Sequence, residues 1–456
     1  MPGVPAWRGA RERGARAFFQ LGPGLSTPKQ ILFRTRMPIT ILAVLPHYLP
    51  GYKAGGPLRS VEHMVERLGD PFTFKIVTRD RDHGDESSFP GIAPGEWHEV
   101  GKGRAIYLAP RELGPLGMRR VLAATRYDVL YLNSVFSTAF TLVPLLLRRM
   151  RAIPPCAVVL APRGELHPGA LGHGRSGSWM PAGVAAGVGS LKKRAYLALT
   201  RAFGLYGGVT WQASNDEEAG HIRERLGPRT TVVVAPNLAA APPEQWASQV
   251  RRKAPGQLAV VFLSRISPKK NLDGAIALLA GLRGEVSLEI YGPVEDERHW
   301  ARCTAAIARL PANVTARYHG PVPHEWVGEV FRKHDLFLFP TWGENYGHVV
   351  QEALVQGCPV LVSDRTPWRG LAEHRAGWDV SPDDTAAMRA VLQRCVDMDE
   401  AEYRQWSRGA AVYGRKCSLD AQPVHSSREL FGSVARGPGL APRPTAAGGG
   451  AAGGRG

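Results

Sequence analysis

Short apolar runs alternate with amphipathic stretches along most of the chain, in the order expected of repeated strand–helix units. Six runs in the first half have the length and flanking turn residues of buried strands. They cover residues 39–45, 72–78, 129–133, 157–161, 209–212 and 232–235. Helical periodicity between several of them, as over residues 192–202, favours a parallel α/β sheet.

The second half contains a strand, a loop, a helix and another strand within residues 337–364. An apolar run ends at residue 340, helical periodicity resumes near Gly347, Gly357 stops it, and a further apolar run covers 359–363. Ligands of open α/β sheets bind beyond the carboxyl ends of the strands, so the loop 341–346 is expected to face one. Backbone amides at the helix start suit a phosphate.

Two glutamates lie in this unit with seven residues between them. Glu352 on the helix could accept two hydrogen bonds from a vicinal diol such as a ribose, and Glu344 lies in the loop where a second polyol would bind. The same spacing also fits solvated surface glutamates or charges favoured near a helix start. Spacing alone leaves both interpretations open.

A basic pair follows the upstream apolar run that ends near residue 263. Arg265 and Lys270 could stabilise the negative charge that develops when a nucleoside diphosphate departs, Arg as a fork and Lys as a point charge. The alternative is a pair of surface charges at a helix entry, and Lys269 beside them is expected to be solvated. Near the N-terminus, Gly55 and Gly56 precede an amphipathic helix and would let backbone approach a phosphate or sugar, although Gly-Gly-Pro also forms ordinary loops.

The segment containing the glutamates resembles glycosyltransferase family 4, whose members have the GT-B fold. The family pattern is P-S/T-x-x-E-x-F/Y-G-x4-E-A-x3-G-x-P-V, and the matching residues are Pro340, Thr341, Glu344, Tyr346, Gly347, Glu352, Ala353, Gly357, Pro359 and Val360. The basic block is similar to the family's G-R-x4-K-G, with Arg265 and Lys270 in place. Ser264 and Asn271 replace its two glycines.

The resemblance implies an α/β protein with two Rossmann-like domains facing each other across a cleft. The expected segments are an N-terminal extension over 1–36, an acceptor-side domain over 37–237 with a flexible insertion at 172–190, a linker over 238–256, a donor domain over 257–414, a return helix over 415–432 and a tail over 433–456. Met37 is a candidate start, because the Arg- and Gly-rich residues before it contain no signal-peptide core.

The resemblance further implies a retaining glycosyltransferase that uses a nucleoside diphosphate sugar and needs neither metal nor other cofactor. Arg265, Lys270 and Glu344 would then be catalytic. The donor would be bound by residues of both domains: Gly55, Gly56, Tyr346, Gly347, His348 and Glu352.

Acceptor-side candidates follow two strands of the first domain. Arg163 occupies the position where many family members have a histidine near the reacting sugar, and His167 is a nearby substitute that a solvent-exposed loop would equally explain. Asn133 follows the neighbouring strand. A D-x-D sequence at Asp80 and Asp82, typical of metal-dependent enzymes of another fold, is interpreted as a polar loop, and no zinc-type spacing is present.

Composition and charge limit the classes of partner that this protein is expected to bind. The formal charge of +17 is not joined to a nucleic-acid-binding motif, so nucleic acid is disfavoured against a nucleotide substrate or an anionic membrane surface, where Lys192, Lys193 and Arg194 would contact headgroups. Five scattered cysteines are typical of a protein of the reducing cytoplasm. Such a protein could also lie peripherally on the inner face of the cytoplasmic membrane. The acceptor is expected to be a glycan or lipid-linked molecule of polysaccharide or cell-envelope synthesis.

Two other functions remain compatible with the sequence. A sugar-nucleotide epimerase or phosphorylase would share the fold, but no lysine stands in a cofactor-anchoring context. A non-catalytic module that binds sugar nucleotides or a membrane is favoured by the missing family histidine and by Ser264 and Asn271.

Overall fold

The structure is a computed structural model that describes residues 38–167, 186–241 and 251–437. Within these residues the chain forms two α/β units, each built on one sheet. The predicted extension 1–36 and residues 438–456 of the predicted tail 433–456 lie outside the described residues, as do most of the insertion 172–190 and residues 242–250 of the linker. Residues 433–435 of the predicted tail belong to the last helix, which ends at Ala435.

The first sheet has eight strands in the described part of the chain, in the order β3-β4-β2-β1-β5-β6-β7-β8. Its strands are β1 (Ile39–Val44), β2 (Phe72–Arg79), β3 (Trp97–Val100), β4 (Gly103–Leu108), β5 (Val129–Asn133), β6 (Ala157–Ala161), β7 (Val209–Ala213) and β8 (Val232–Val234). Its helices are α1 (Gly56–Leu68), α2 (Pro115–Ala124), α3 (Val143–Arg149), α4 (Ala186–Ala202) and α5 (Asp216–Leu226). All pairings are parallel except that of the edge strand β3.

The second sheet has six parallel strands among the described residues, in the order β11-β10-β9-β12-β13-β14. They are β9 (Gln257–Leu263), β10 (Glu285–Tyr291), β11 (Val314–Tyr318), β12 (Leu336–Phe339), β13 (Val360–Ser363) and β14 (Gly377–Val380). The accompanying helices are α6 (Leu272–Leu279), α7 (Glu297–Ile307), α8 (His324–Arg332), α9 (His348–Val355), α10 (Thr385–Asp397), α11 (Glu400–Leu419) and α12 (Gln422–Ala435).

The strand orders determine where each sheet can bind a ligand. The chain reverses direction across the first sheet between β1 and β5, and across the second between β9 and β12. Loops after two such strands run to opposite sides and leave a crevice between them. The loop after β1 contains Gly55, and the loops after β9 and β12 contain Arg265 and Glu344. The topology therefore brings the predicted glycine, basic and acidic segments to the sheet edges where ligands bind.

Central strands are buried on both faces, as parallel sheets require. In β1 the side chains of Leu42 and Val44 enter one apolar cluster, and those of Ile41 and Ala43 enter the cluster on the opposite face. The second sheet contributes to a single large cluster.

The last helix, α12, packs on the first sheet although the chain has by then completed the second. Its Phe431 lies edge-on to Tyr131 of β5, with ring centroids 5.2 Å apart, and also contacts Phe72 of β2. Arg428 donates to the Leu68 carbonyl oxygen at the end of α1, at 2.6 Å. The chain thus crosses between the two sheets a second time.

One edge of the first sheet differs from the expectation of uniform βα alternation. The short strand β3 forms an antiparallel hairpin with β4 at the sheet edge, in a region without a strong period-two pattern.

The D-x-D carboxylates are buried and not simply part of a polar loop: Asp82 accepts hydrogen bonds from the amides of Tyr52 and Lys53, and Asp80 pairs with Arg81. The motif therefore fixes the loop after β1.

Candidate functional site: a cleft lined by cations and carboxylates

Arg265 projects from the end of β9 into the space between the two sheets. Its guanidinium pairs with Glu295, with the Nη1 and Oε1 atoms 2.6 Å apart, and both side chains are about one-third exposed. A Cβ added to Gly55, in the loop after β1, would lie 3.8 Å from Arg265 Nε. The glycine therefore leaves room for the arginine at the opposite wall, and the guanidinium remains accessible to a ligand.

Lys270 and Glu344 form a buried ion pair, with Nζ and Oε2 2.5 Å apart. Burial by itself would raise the pKa of Glu344, but the charges of Lys270 and Lys269 outweigh it and lower that pKa to about 2. The Lys270 ammonium also lies 5.1 Å from the centroid of the Phe339 ring. The Glu344 carboxylate is thus ionised at neutral pH, and the pair is held at the point where β9 and β12 end.

The loop between β12 and α9 is tied to the basic block by its backbone. The Trp342 amide donates to the Lys269 carbonyl oxygen at 2.9 Å, and Thr341 Oγ1 donates to the same oxygen at 3.0 Å. On the other side, the Glu344 amide donates to the Arg365 carbonyl oxygen. The Arg365 guanidinium stacks 4.9 Å from the Trp342 ring. Cationic and acidic segments therefore move as one unit.

Helix α9 begins immediately after a left-handed glycine. Gly347 has φ +77°, and a Cβ there would lie 3.1 Å from Glu344 Cγ, so both conformation and space favour glycine. Trp368 Nε1 donates to the Tyr346 carbonyl oxygen at 2.6 Å and fixes the preceding residue. This geometry places the first amides of α9 beside the Lys270–Glu344 pair, where an anion would be stabilised.

Glu352 lies just over one turn into α9. Its carboxylate is 18% exposed, and Oε1 lies 3.9 Å from His324 Nδ1. Burial raises the pKa of this carboxyl to about 7, partly opposed by Arg59. A carboxylate in this state gains from hydrogen-bond donors that a ligand brings, because donors favour its charged form.

His348 makes a direct contact between the two units. Its Nε2 lies 3.0 Å from Ser60 Oγ of α1, and its ring stands edge-on to His63 at 4.9 Å. Burial holds the pKa of His348 well below its ordinary value, so the imidazole is neutral at physiological pH. The His348 imidazole thus forms part of the packing of α1 on α9. The group of His348 suited to binding a nucleotide-sugar donor is its backbone amide.

The acceptor-side candidates Asn133 and Arg163 bond to each other. Arg163 donates to Asn133 Oδ1 through Nη2 at 2.8 Å, to the Tyr131 hydroxyl at 2.7 Å, and to Asn237 Oδ1. Arg163 adopts a left-handed conformation with φ +56°, which costs a non-glycine residue about 1–2 kcal/mol. The hydrogen bonds hold the strained residue, so Arg163 shapes the floor of the cleft between three sequence-distant segments.

His167 lies apart from this network, near the last described residue of its loop. Its side chain is 45% exposed, and Nε2 lies 3.8 Å from Glu217 Oε1. The structure therefore separates the three acceptor-side candidates into a hydrogen-bonded pair, Asn133 and Arg163, and an exposed histidine.

The two departures from the family pattern have structural explanations. Asn271 is left-handed, with φ +60°, a conformation that asparagine tolerates better than most non-glycine residues, and its Nδ2 donates to the Pro340 carbonyl oxygen at 2.8 Å. Ser264 is not among the described residues with positive φ, so its position does not require glycine. The close backbone approach is made instead by Gly292, whose Cβ would lie 1.9 Å from the Ser264 carbonyl oxygen. Neither substitution disturbs the site.

Sequence reasoning missed a second contact across the cleft. Ser214 Oγ donates to Asn345 Oδ1 at 2.9 Å and also to Glu218, whose carboxylate accepts from the Gly164 amide at 2.6 Å. Asn345 lies inside the glutamate segment, but its position is not part of the family pattern. The adjacent N-cap Asn215, which accepts from the Glu218 amide, was the one recognisable signal.

The two sheets and their strand orders define the fold class. Two α/β units with parallel sheets and ligand-binding edges are the architecture of the GT-B fold. The solved structure of sucrose-phosphate synthase from Thermosynechococcus elongatus is similar over 87% of this chain and 100% of that one, with a TM-score of 0.61 and 16% identity. At this identity the likeness shows the fold alone, and it confirms the predicted fold class.

Residues 245–411 match the family model "Glycosyl transferases group 1". A D-inositol 3-phosphate glycosyltransferase of Streptomyces avermitilis is 29% identical over 161 residues, which are 33% of this chain and 34% of the relative. A GDP-mannose-dependent alpha-mannosyltransferase of Mycobacterium tuberculosis is 33% identical over 129 residues, or 28% and 31% of the two chains. The chain thus spans about a third of the length of these relatives.

Proposed function

We propose that this protein is a retaining glycosyltransferase that moves a sugar from a nucleoside diphosphate sugar to an acceptor hydroxyl. The bond broken joins the anomeric carbon to the diphosphate oxygen, and the bond formed joins the same carbon to the acceptor oxygen. The nucleoside diphosphate leaves with the electron pair. The observation that carries the proposal is the Lys270–Glu344 ion pair beside Arg265, at the switch point of the second sheet.

Each residue has a role that its surroundings favour. Arg265 and Lys270 stabilise the charge on the departing diphosphate, and the first amides of α9 add to them. Glu344 orients Lys270 and accepts hydroxyl groups of the sugar, whereas Glu352 accepts the two ribose hydroxyls. Gly55 and Gly56 let the backbone of the first unit approach the donor from the opposite wall.

The mannosyltransferase relative is named for a GDP-sugar, which supports a nucleotide sugar as donor. The two cations already compensate the diphosphate charge, so the proposed reaction uses no metal in the donor site and no other cofactor. We further propose that the acceptor is a glycan or lipid-linked molecule of polysaccharide or cell-envelope synthesis, and that the protein works in the cytoplasm.

The test is a donor screen with the purified full chain. UDP-, GDP-, ADP- and TDP-sugars are compared by thermal shift and by slow release of nucleotide in the absence of acceptor. One donor should raise the melting temperature and be hydrolysed. The Glu352→Ala variant should lose the thermal shift, and Arg265→Ala should lose turnover. Arg309→Ala removes an exposed arginine of the same unit and serves as the control.

Two results would defeat the proposal. If a donor binds and no transfer or hydrolysis follows with any acceptor tried, the protein is a non-catalytic sugar-nucleotide-binding module. If Arg265→Ala and Arg309→Ala are equally active, the cation at the end of β9 does not serve the leaving group.

A membrane surface is proposed as a peripheral partner because basic and apolar side chains share one outer face of the first unit. Helix α4 exposes Leu199 and, just beyond its end, Phe203, which are 58% and 66% exposed. Arg148 at the end of α3 donates to the Gly207 carbonyl oxygen, so the ends of α3 and α4 adjoin. Met150, which follows α3, is 72% exposed. Insertion of apolar groups flanked by cations suits an anionic bilayer.

Of the three basic residues singled out from the sequence, Lys192 and Arg194 are exposed, whereas Lys193 lies 5.3 Å from the Phe136 ring. Each exposed cation near anionic lipid contributes about 1 kcal/mol. No helix in the described residues has the length and apolar composition needed to span a bilayer.

Flotation with anionic and neutral vesicles tests the membrane proposal. The protein should float with the anionic vesicles at low salt, and the double variant Leu199→Ser, Phe203→Ser should not. Trp326→Ser removes an exposed aromatic residue of the second unit and should leave flotation unchanged. Equal recovery of all three proteins with the anionic vesicles would exclude this face.

A further inference from the structure

Three metal-ligating side chains converge on the first unit, outside the donor site. They are His167 from the loop after β6, and Glu217 and His221 from α5. One ligand atom from each lies within 4.8 Å of the other two. We name this group the His–Glu–His cluster.

The secondary structure sets this convergence. Glu217 and His221 are four residues apart on α5, so their side chains project from one face of the helix. The loop carrying His167 is attached to the same helix, because the Gly164 amide donates to the Glu218 carboxylate at 2.6 Å. The His167 amide in turn donates to the Gly164 carbonyl oxygen at 3.3 Å. The third group is therefore held beside the first two by hydrogen bonds of its loop.

The donor set suits a borderline-soft divalent cation. Two imidazoles and one carboxylate, with a fourth position left for water, form a common catalytic zinc arrangement. Tetrahedral zinc with bonds of about 2.1 Å requires ligand atoms about 3.4 Å apart. His167 Nε2 and Glu217 Oε1 are already 3.8 Å apart, and the imidazole rings of His167 and His221 stand edge-on at 4.9 Å. Small side-chain rotations would complete the geometry.

The cluster lies beside the cleft. Ser214, three residues before Glu217, bonds across the cleft to Asn345, which is adjacent to Glu344. Lys269 and Arg365 of the second unit are near enough for their charges to contribute to the lowered pKa of His167. A cation held there would stand on the acceptor side of the cleft, opposite the donor cations.

We propose that His167, Glu217 and His221 form a binding site for one divalent transition-metal ion of the zinc type, with its remaining coordination position open toward the cleft. Two of the three ligands lie fifty residues from the third in the chain, which is why ligand spacing gave no sign of it. This proposal does not depend on glycosyl transfer, and its test measures metal directly.

The experiment uses the full chain without an affinity tag, stripped with chelator and titrated with Zn²⁺ against a competing indicator. Co²⁺ is added separately, because its visible absorption reports tetrahedral coordination. One equivalent should bind, and His221→Ala and Glu217→Gln should each weaken binding at least tenfold. Both side chains reach the surface, so unchanged melting temperatures of the metal-free variants will show that the fold is retained.

The chain supplies a matched control. His425 and Glu429 on α12 are also four residues apart, with Nε2 and Oε1 3.2 Å apart, and they belong to no three-ligand group within the described residues. His425→Ala should bind Zn²⁺ as the unsubstituted protein does. The proposal is overturned if no stoichiometric metal binds, or if His221→Ala binds as tightly as His425→Ala.

Discussion

Replacing Glu344 with glutamine should destabilise the protein at neutral pH and have a smaller effect in acid. The substitution keeps the size of the side chain and removes the charge that faces Lys270. The Lys270 ammonium, whose side chain is 9% exposed, would then be buried without its counter-charge. Breaking one partner of a buried pair is costly for this reason.

The magnitude follows from the pKa of Glu344, which falls from an ordinary value of 4.5 to about 2 in the folded protein. Each pKa unit corresponds to about 1.4 kcal/mol, so the interval corresponds to about 3 kcal/mol of stability at pH 7. Because the folded pKa is the lower one, this contribution is complete above pH 4.5 and declines as the pH falls toward 2. The difference between the two proteins should therefore shrink below pH 4.5.

Urea unfolding followed by tryptophan fluorescence, at pH 7 and at pH 3.5, measures the difference. Glu329→Gln is the control, because Glu329 pairs with Lys333 at the surface and should not move the urea midpoint. A further variant, Glu344→Gln with Lys270→Met, removes both charges and should recover part of the loss. The reasoning is refuted if Glu344→Gln matches the control at pH 7, or if its effect is equally large at pH 3.5.

Three other substitutions test separate parts of the site. Burial raises the pKa of Glu352 to about 7, so the contribution of this carboxyl to stability is present below pH 4.5 and is lost as the pH rises through 7. Glu352→Gln should therefore raise the urea midpoint at pH 8 and not at pH 4.5. Asn271→Ala should lower the free energy of unfolding by about 1 kcal/mol more than Asn271→Gly, because only glycine accepts the left-handed backbone without strain; equal free energies of unfolding would contradict this. Gly164→Ala would place a Cβ 3.3 Å from that of Asn345 and should slow transfer severalfold, whereas Gly84→Ala, with similar φ and open space, should not.

The central strands were predictable because a strand buried on both faces is a continuous apolar run. Residues 129–133 and 157–161 coincide with β5 and β6, and the helix predicted over 192–202 is the second half of α4. The edge hairpin of β3 and β4 was missed, since Trp97–Val100 is only partly buried and its apolar pattern is weak. The buried state of Asp82 was hidden for a related reason: its partners are the backbone amides of Tyr52 and Lys53, which no side-chain pattern records.

The candidate site likewise has features that the sequence predicts and features that it does not. Arg265, Lys270 and Glu344 lie close together because β9 and β12 are neighbouring strands. The apolar pattern of the sequence already predicts that a strand precedes the basic pair and another precedes Glu344. The commitment of the His348 side chain to Ser60 could not be predicted, because the two residues are 288 positions apart. The cleft contact through Asn345 depends likewise on how the two units face each other.

The return of α12 to the first sheet bears on the order in which this protein can fold during synthesis. Phe431 covers Tyr131 and Phe72, so the core around β2 and β5 includes a side chain made some three hundred residues later. The first unit therefore reaches its finished core only after the second has emerged from the ribosome. Until then the aromatic face of its sheet is open to chaperones or to premature association, and a polypeptide cut before α12 would keep that exposed surface permanently.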